Sequence, residues 1–555
     1  MTAPIPFAGA RDALKVGMAV SRLTGPAWIK ALARALIRTG YVDLTFIVTD
    51  ERPLASPRGR RRRGHLWPAY LEVDLRLQRI ACRRSPDPSA LADLADLGCT
   101  VATSVPDELH LVVDAAGRFA LDPRADHCGA PVWWFDHDGH EMWPAVRSGY
   151  AEALDGRGVT SCRLMGLAPG AAAPAVLRSA RLATHPLFGA ENRVQLLWKS
   201  IPLLLQKVRE LRDSGVVTCE SRSMPHEQEP AVTTEAGPGV SPVALALHAW
   251  RSVGFVLRRV FWHDQWFLLL GQRAVAENGQ QCEQVDKLTS EFRPTRALMP
   301  PADRFWADPY LLPRGEDRLI LVEEYMYAQH RGRIALLRLD DSGGLAEVRT
   351  VLERECHLSY PAVFEHAGEL FMVPESSDLD RIEAYRCTRF PWRWEDARTL
   401  LAGVRACDSS IVEYGGRWWL FATVVDDPWL TPRDSLNAYY ADDPLNGPWV
   451  AHPGNPVVCD VYRARPAGRP FICDERLFRP SQDCSRGYGY GIRINEIIAL
   501  TETRFEERDV AFLEPAWRDA VAAHTFALGE RTIVVDAMRW LGRRPGSRSG
   551  PTAGR

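Results

Sequence analysis

From Phe305 onward the chain repeats one texture. Short apolar or aromatic runs alternate with turns of Gly, Pro, Asp and Asn, and helical spacing is scarce. The runs include LILVEEY (319–325), IALLRL (334–339), AVFEHAGELFMVPE (362–375), SIVEYGGRWWLFATV (410–424) and IIALTETRFEE (497–507). EHAGEL and EYGGRW read as hairpins, because tight turns need residues that tolerate positive φ. Many short, evenly spaced strands leave a sandwich, a barrel or a propeller. The unit recurs at about 45–50 residues, which favours propeller blades, and about five fit. HTFALGERTIVVDAMRW (524–540) would close the ring.

The first half has another texture. Strand patterns at Lys15–Val20, Leu44–Val48, Leu109–Val113 and Val132–Phe135 alternate with helical spacing such as Trp28–Ile37. That order predicts a parallel α/β sheet. No GxGxxG follows the first strand, so a dinucleotide fingerprint is missing. Residues 214–242 are rich in Pro, Gly, Ser, Thr and Glu and read as a linker. The expected layout is therefore an α/β domain over 1–213, a linker over 214–242, a propeller over 243–542 and a disordered tail over 543–555.

Composition narrows the function. A net charge of −2 over 555 residues argues against a nucleic-acid binder. Twelve cysteines form no CxxC pair, so structural zinc and thioredoxin chemistry are not indicated, and the residues name no metal or cofactor. The first ten residues lack a basic start and an apolar run, so no signal peptide is expected. Reduced cysteines in a cytoplasmic protein follow from that. No run of 18 apolar residues predicts a membrane span. Val243–Leu270 reads as an amphipathic surface helix followed by a strand, with membrane-surface contact open. The Arg58–Arg63 run between Pro57 and Gly64 is either a solvated loop or a contact for phosphate or an anionic surface.

FWADPYLL (305–312) resembles the first blade of the arabinanase, levansucrase and invertase propellers, of the glycoside hydrolase family 43 type. LVEEY, CHLSYPAVF with FMVPES, ACDSSIVEYGGRWWLF, NAYYADDPLNGPWVAHPGNPV, RARPAG, FRPSQDCSRGYGYGI and HTFALGERTIVVDAMR follow in order. Together they resemble the propeller named for the N-terminal region of plant glucosamine inositolphosphorylceramide transferases. The first half is similar to formyltransferase domains through KVGMAV, ELHLVVD, WWFDHDG (133–139), Gly158-Val159-Thr160 and ENRVQLLWKSIPLLLQKV. The implied fold class is a formyltransferase-like α/β domain followed by an all-β five-bladed propeller.

The resemblances imply site residues. Folate-dependent formyltransferases use an Asn, a His two residues later and a downstream Asp. Here His137 is present, Phe135 stands where the Asn belongs, and no carboxylate follows Thr160 closely. A histidine without its orienting acid is a poor general base. Asp136, His137 and Asp138, with His140 and Glu141, remain a polar cluster that either binds a ligand or metal or forms a solvated loop.

In the propeller, sugar chemistry needs two carboxyl groups across the scissile bond. Asp308 matches the first-blade aspartate of the resembling glycosidases, and Asp408 matches the second. The late glutamate has no match, since RPSQDC places Arg479 and Gln482 there. Glu375 is the candidate displaced acid, with Glu323 and Glu324 further candidates. Asp308 before proline can also be an Asx turn. Arg465 and Arg479 offer planar forks for carboxylate or phosphate, or structural ion pairs. His357 and Tyr360 either face the central cavity or pack between blades. Of the eighteen tryptophans, those inside strands, such as Trp418 and Trp419, read as core.

Three functions stay open. One is a carbohydrate-active protein of glycan or glycolipid biosynthesis that binds a sugar, nucleotide-sugar or glycolipid and transfers or hydrolyses a glycosyl unit. The second is a non-catalytic sugar-binding or scaffold protein with two degenerate enzyme domains. The third is a formyl-folate-dependent amino-sugar N-formyltransferase.

Overall fold

The computed structural model describes residues 5–6, 13–48, 66–81, 90–115, 129–137, 140–141, 149–220, 241–273, 285–425, 431–517 and 519–542. The Arg58–Arg63 run, most of the linker, Asp138, the side chains of His137, His140 and Glu141, and the tail lie outside the described residues. The chain forms two compact units, Met1–Val253 and Gly254–Arg555.

The first unit is built on a mixed sheet. Its path runs Ala175–Ala183, Val159–Leu167, Val132–His137, Leu111–Asp114, Leu14–Val20, Val42–Val48, Thr100–Ala102. The strands from Val132–His137 to Thr100–Ala102 pair in parallel. Leu14–Val20 is almost wholly buried, as a central parallel strand must be when both faces are covered. Helix Ala27–Arg38 buries Trp28, Ile29, Leu32, Ala33 and Leu36, one face at helical spacing. Sequence periodicity missed the antiparallel edge, where Val159–Leu167 pairs with Ala175–Ala183. Its residues do not alternate cleanly between apolar and polar. Helix Gly189–Ser214 packs on that pair. Asp74 caps it by accepting from Gly189 N at 3.2 Å and Ala190 N at 2.8 Å.

The second unit is a five-bladed propeller of four-stranded antiparallel sheets. Blade one comprises Arg304–Leu311, Leu319–Met326, Arg331–Leu339 and Leu345–Leu352. Blade two comprises Ser359–His366, Glu369–Glu375, Arg381–Arg389 and Arg393–Ala402. Blade three comprises Ala406–Tyr414, Arg417–Val424, Asn437–Ala441 and Val450–Ala451. Blade four comprises Phe471–Cys473, Arg476–Asp483, Gly491–Leu500 and Phe505–Leu513. Blade five is shared between chain ends. Phe526–Leu528 and Thr532–Gly542 from the end pair with Trp262–Gln272 and Pro294–Leu298 from the start. Trp262 faces Gly542 and Gln272 faces Thr532, an unbroken antiparallel register that fastens the ring.

Each junction between blades holds its own apolar core. Leu336 and Tyr310 meet Met372 and Tyr360 between blades one and two. Phe364 and Val373 meet Leu420 and Trp418 next. Phe421 and Leu436 meet Leu477, then Ile494 and Phe478 meet Phe526 and Val535. Val534 and Leu268 meet Trp306 and Leu337, which returns the ring to blade one. The paired tryptophans Trp418 and Trp419 are core in opposite junctions, as pleat alternation dictates.

The cysteines depart from the fully reduced set expected. Cys99, Cys162, Cys219, Cys356, Cys387, Cys407, Cys459 and Cys484 are free, but Cys473 is disulfide-bonded.

Candidate active site at the propeller hub

The innermost strand of three blades carries the same irregularity. Pairing skips from Ala307 to Tyr310, from Ser359 to Ala362 and from Cys407 to Ser410. The skipped pairs are Asp308-Pro309, Tyr360-Pro361 and Asp408-Ser409. Proline cannot donate to a ladder, so two of these breaks follow from composition. Asp308, Tyr360 and Asp408 have φ of 51°, 45° and 52°. The left-handed region costs a non-glycine residue roughly 1–2 kcal/mol, and such strain concentrates where a side chain must be aimed. A bulge re-aims its residue. Here it turns three polar side chains toward neighbouring blades.

These side chains tie the blades together. Asp308 Oδ1 accepts from Thr525 Oγ1 at 2.8 Å and its Oδ2 accepts from Tyr360 N at 3.1 Å. Asp308 N donates to Asp536 Oδ2 at 3.0 Å. Gly468 N donates to the Tyr360 hydroxyl at 2.7 Å, and Ser410 Oγ lies 2.8 Å from it. A Cβ at Gly468, where φ is 132°, would collide with the Phe526 carbonyl, so this inner turn of blade four requires glycine. Asp408 N donates to Glu375 Oε2 at 3.1 Å. Asp408 Oδ2 accepts from Gln482 Nε2 at 2.9 Å and from Arg465 Nε. The Arg465 guanidinium also lies 3.8 Å from Glu375 and packs over the Tyr488 ring.

The hub holds more acid than base. Asp308, Glu323, Glu375, Asp408 and Asp536 are all buried there, facing Arg465 and His524. Burial raises the Asp308 carboxyl to about 6; His524 opposes that rise, while Asp408 and Asp536 add to it. Burial likewise lifts Asp408 to about 7, opposed by Arg465 and reinforced by Glu375. Glu323 is pushed well above the carboxylate range by burial and by Asp308, Glu375, Asp408 and Asp536. Among the described residues its Oε1 has no hydrogen-bond donor, and it lies 3.5 Å from His357 Nε2. Burial lowers the His357 pKa, which favours the neutral ring. For His524 burial also disfavours charge, but Asp536 and Asp308 outweigh it and raise its pKa. Its Nδ1 is 2.6 Å from Asp536 and its Nε2 3.5 Å from Asp308. The Trp266 ring stacks on it at 4.1 Å. Asp308, His524 and Asp536 can each offer one ligand atom within 4.8 Å of the others, so this is where a cation would fit among the described residues.

The sequence candidates divide accordingly. Asp308, Glu375, Asp408, Tyr360, Arg465, Gln482 and His357 come together. Glu324 does not: it lies on the opposite face of its strand from Glu323, held by Arg304, Arg333 and the Trp306 indole. Arg479 likewise points elsewhere, bonding Glu507 in blade four and the Arg463 carbonyl ahead of it. In the first unit Asp136 is ion-paired with Arg163 at 3.1 Å, directly across the sheet. His524, Thr525, Asp536 and Tyr488 were not singled out from sequence. The signal available was HTF ahead of the closing strand, with an aspartate inside the otherwise apolar IVVDAM.

Fold and site define a five-bladed propeller with a buried acidic hub. Residues 295–538, all within the propeller unit, match the family model described as "Glucosamine inositolphosphorylceramide transferase 1, N-terminal". A glucosamine inositolphosphorylceramide transferase 1 from Oryza sativa subsp. japonica is 35% identical over 210 residues, 37% of this chain and 27% of the relative. Its Arabidopsis thaliana counterpart is 32% identical over 211 residues, 38% of this chain and 27% of the relative. The chain thus spans about a quarter of the length of these curated relatives. Among solved structures, an α-L-arabinofuranosidase from Lactobacillus brevis is similar at 14% identity, covering 41% of this chain and 80% of that one, with a TM-score of 0.31. An exo-β-1,3-galactanase from Clostridium thermocellum shows 12% identity, 39% and 54% coverage, and a TM-score of 0.30.

Proposed function

We propose that the propeller is a carbohydrate-active module of glycolipid assembly, with the hub as its sugar site. The observation that carries this reading is the set of buried carboxyls with raised pKa values, one of which, Glu323, keeps an oxygen without a donor among the described residues. Glycosyl chemistry needs one carboxyl that keeps its proton near neutrality and another that gives its proton up. Glu323 suits the first role because burial and four neighbouring carboxyls hold its proton. Asp308, steadied by Thr525 and Tyr360 beside His524, suits the second. Arg465 and Gln482 orient Asp408. The names of the plant relatives supply the substrate class, a sugar and an inositolphosphoryl lipid.

A non-catalytic reading has an observation of its own. Both oxygens of Asp308 are engaged by the protein, and Asp408 is held by Arg465 and Gln482. In that reading the hub recognises a sugar without turning it over. The test is turnover of activated sugars with inositolphosphoryl lipid acceptors, alongside calorimetric sugar binding. Asp308→Asn and Glu323→Gln should each lower turnover by about a hundredfold or more, with melting preserved. Full turnover in either variant would sink the carboxyl mechanism. Sugar binding by a wild-type protein that turns nothing over would establish the second reading. For the first unit the pairing of Asp136 with Arg163 lends no support to formyl transfer. An amino-sugar formylation assay is expected to give no product.

A further inference from the structure

The helix Pro242–Phe261 has 20 residues, about 30 Å of axis. At 3.6 residues per turn its sequence sorts into two sides. One collects His248, Arg251, Ser252 and Phe255. His248 on this side is buried, its Nδ1 lies 3.2 Å from the Ala153 carbonyl, and Tyr70 packs edge-on against its ring. Arg251 reaches the Leu154 carbonyl. The other side collects Val243, Leu247, Trp250, Val253, Val256, Leu257, Val260 and Phe261, with only Ala246, Ala249 and Gly254 between them. All eight large residues are exposed, Trp250 by 74%, Val243 by 66% and Phe261 by 55%. Water thus meets a continuous apolar half-cylinder, where soluble surfaces normally scatter such residues singly.

We infer that this face is a membrane-surface helix that lies in the interface of an anionic bilayer. Three features select that occupant. Beyond Arg251, which is engaged with the Leu154 carbonyl, the helix carries Arg258 and Arg259 and not one acidic residue, so its charge complements anionic headgroups. Arg258 borders the apolar face, near Leu247 on the helical wheel. Trp250 and the following Trp262 give it amphipathic rings of the kind that settle at headgroup depth. No helix among the described residues is long and apolar enough to cross a membrane, so the geometry is in-plane. Pairing with a second copy would set two wholly cationic helices against each other.

The full chain is tested by co-sedimentation with vesicles of phosphatidylcholine alone and of phosphatidylcholine with phosphatidylserine. Binding is expected on the anionic vesicles, weaker on neutral ones and weakened by salt. The double variant W250E/L257E should lower partitioning by about tenfold or more with unchanged melting. R258E/R259E should remove the preference for phosphatidylserine. Should the first variant fail to fold, wild-type tryptophan fluorescence decides. Quenching by brominated acyl chains, reduced in W250F, supports insertion; no quenching overturns it. Absence of wild-type binding to both vesicles also overturns the inference. So does a solution dimer that W250E/L257E dissociates, since the face would then belong to a second copy. Vesicle binding is read without turnover, and Asp308→Asn should bind vesicles like wild type, so this inference and the hub reading can fail separately.

Discussion

Tyr360 shows how one residue organises the hub. Its backbone N–H serves Asp308 in blade one, and its hydroxyl meets Ser410 in blade three and Gly468 in blade four. A tyrosine held at positive φ persists because these bonds over-determine it. Tyr360→Phe strands Gly468 N and should cost about 1–3 kcal/mol, read by urea denaturation. The raised acids give a pH prediction with a definite sign. Asp308 and Asp408 have an ordinary value of 3.8 and folded values of about 6 and about 7. A raised folded pKa means the folded state holds the proton more tightly. The stabilising contribution is therefore complete below the ordinary value and is lost as pH rises through about 6 and about 7. His524, whose pKa is also raised, acts in the same direction. The melting temperature of the propeller should fall across that window, and Asp408→Asn should flatten the fall. Glu323 and Glu324 mark the limit of sequence reading at this scale. They are identical neighbours, and only the phase of the pleat sends one to the hub and the other to Arg304 and Arg333.

At the scale of elements, the repeated inner-strand bulge was partly legible. Asp308-Pro309 and Tyr360-Pro361 break a strand pattern that is otherwise regular, and both fall on the hub. Asp408-Ser409 carries the same bulge without a proline. Ring closure depends on one pairing, Thr532–Gly542 with Trp262–Gln272. Truncation before Thr532 would leave Trp262–Gln272 without that partner and open two apolar junctions, those holding Val534 and Val535. Circular dichroism and calorimetry should then show loss of the cooperative propeller transition rather than a modest shift. In the first unit four of the five parallel strands were readable because a strand covered on both faces is a solid apolar run, whereas the largely exposed edge strand Thr100–Ala102 was not. Nor was the antiparallel edge, because half-exposed strands there mix arginine, serine and leucine without a clean period.

At the scale of the molecule, the disulfide at Cys473 changes the thiol inventory. Titration of the denatured, unreduced protein should find at least two thiols fewer than the twelve cysteines of the sequence. Twelve thiols would mean that the bond does not form. Alternating helix and strand in the first half and the all-β texture of the second could be read locally, since strand length, turn residues and repeat spacing are written every few residues. Resemblance to the propeller glycosidases marked Asp308 and Asp408, and Tyr360 stood beside His357 as a candidate for the cavity. Which candidates share a site follows from the closed ring. His524 and Asp536 come from the far end of the chain, and ring closure alone brings them to Asp308. Arg465 reaches Asp408 while the equally plausible Arg479 turns to Glu507. Convergence of that kind depends on register and pleat across strands distant in sequence, and no local pattern of residues encodes it.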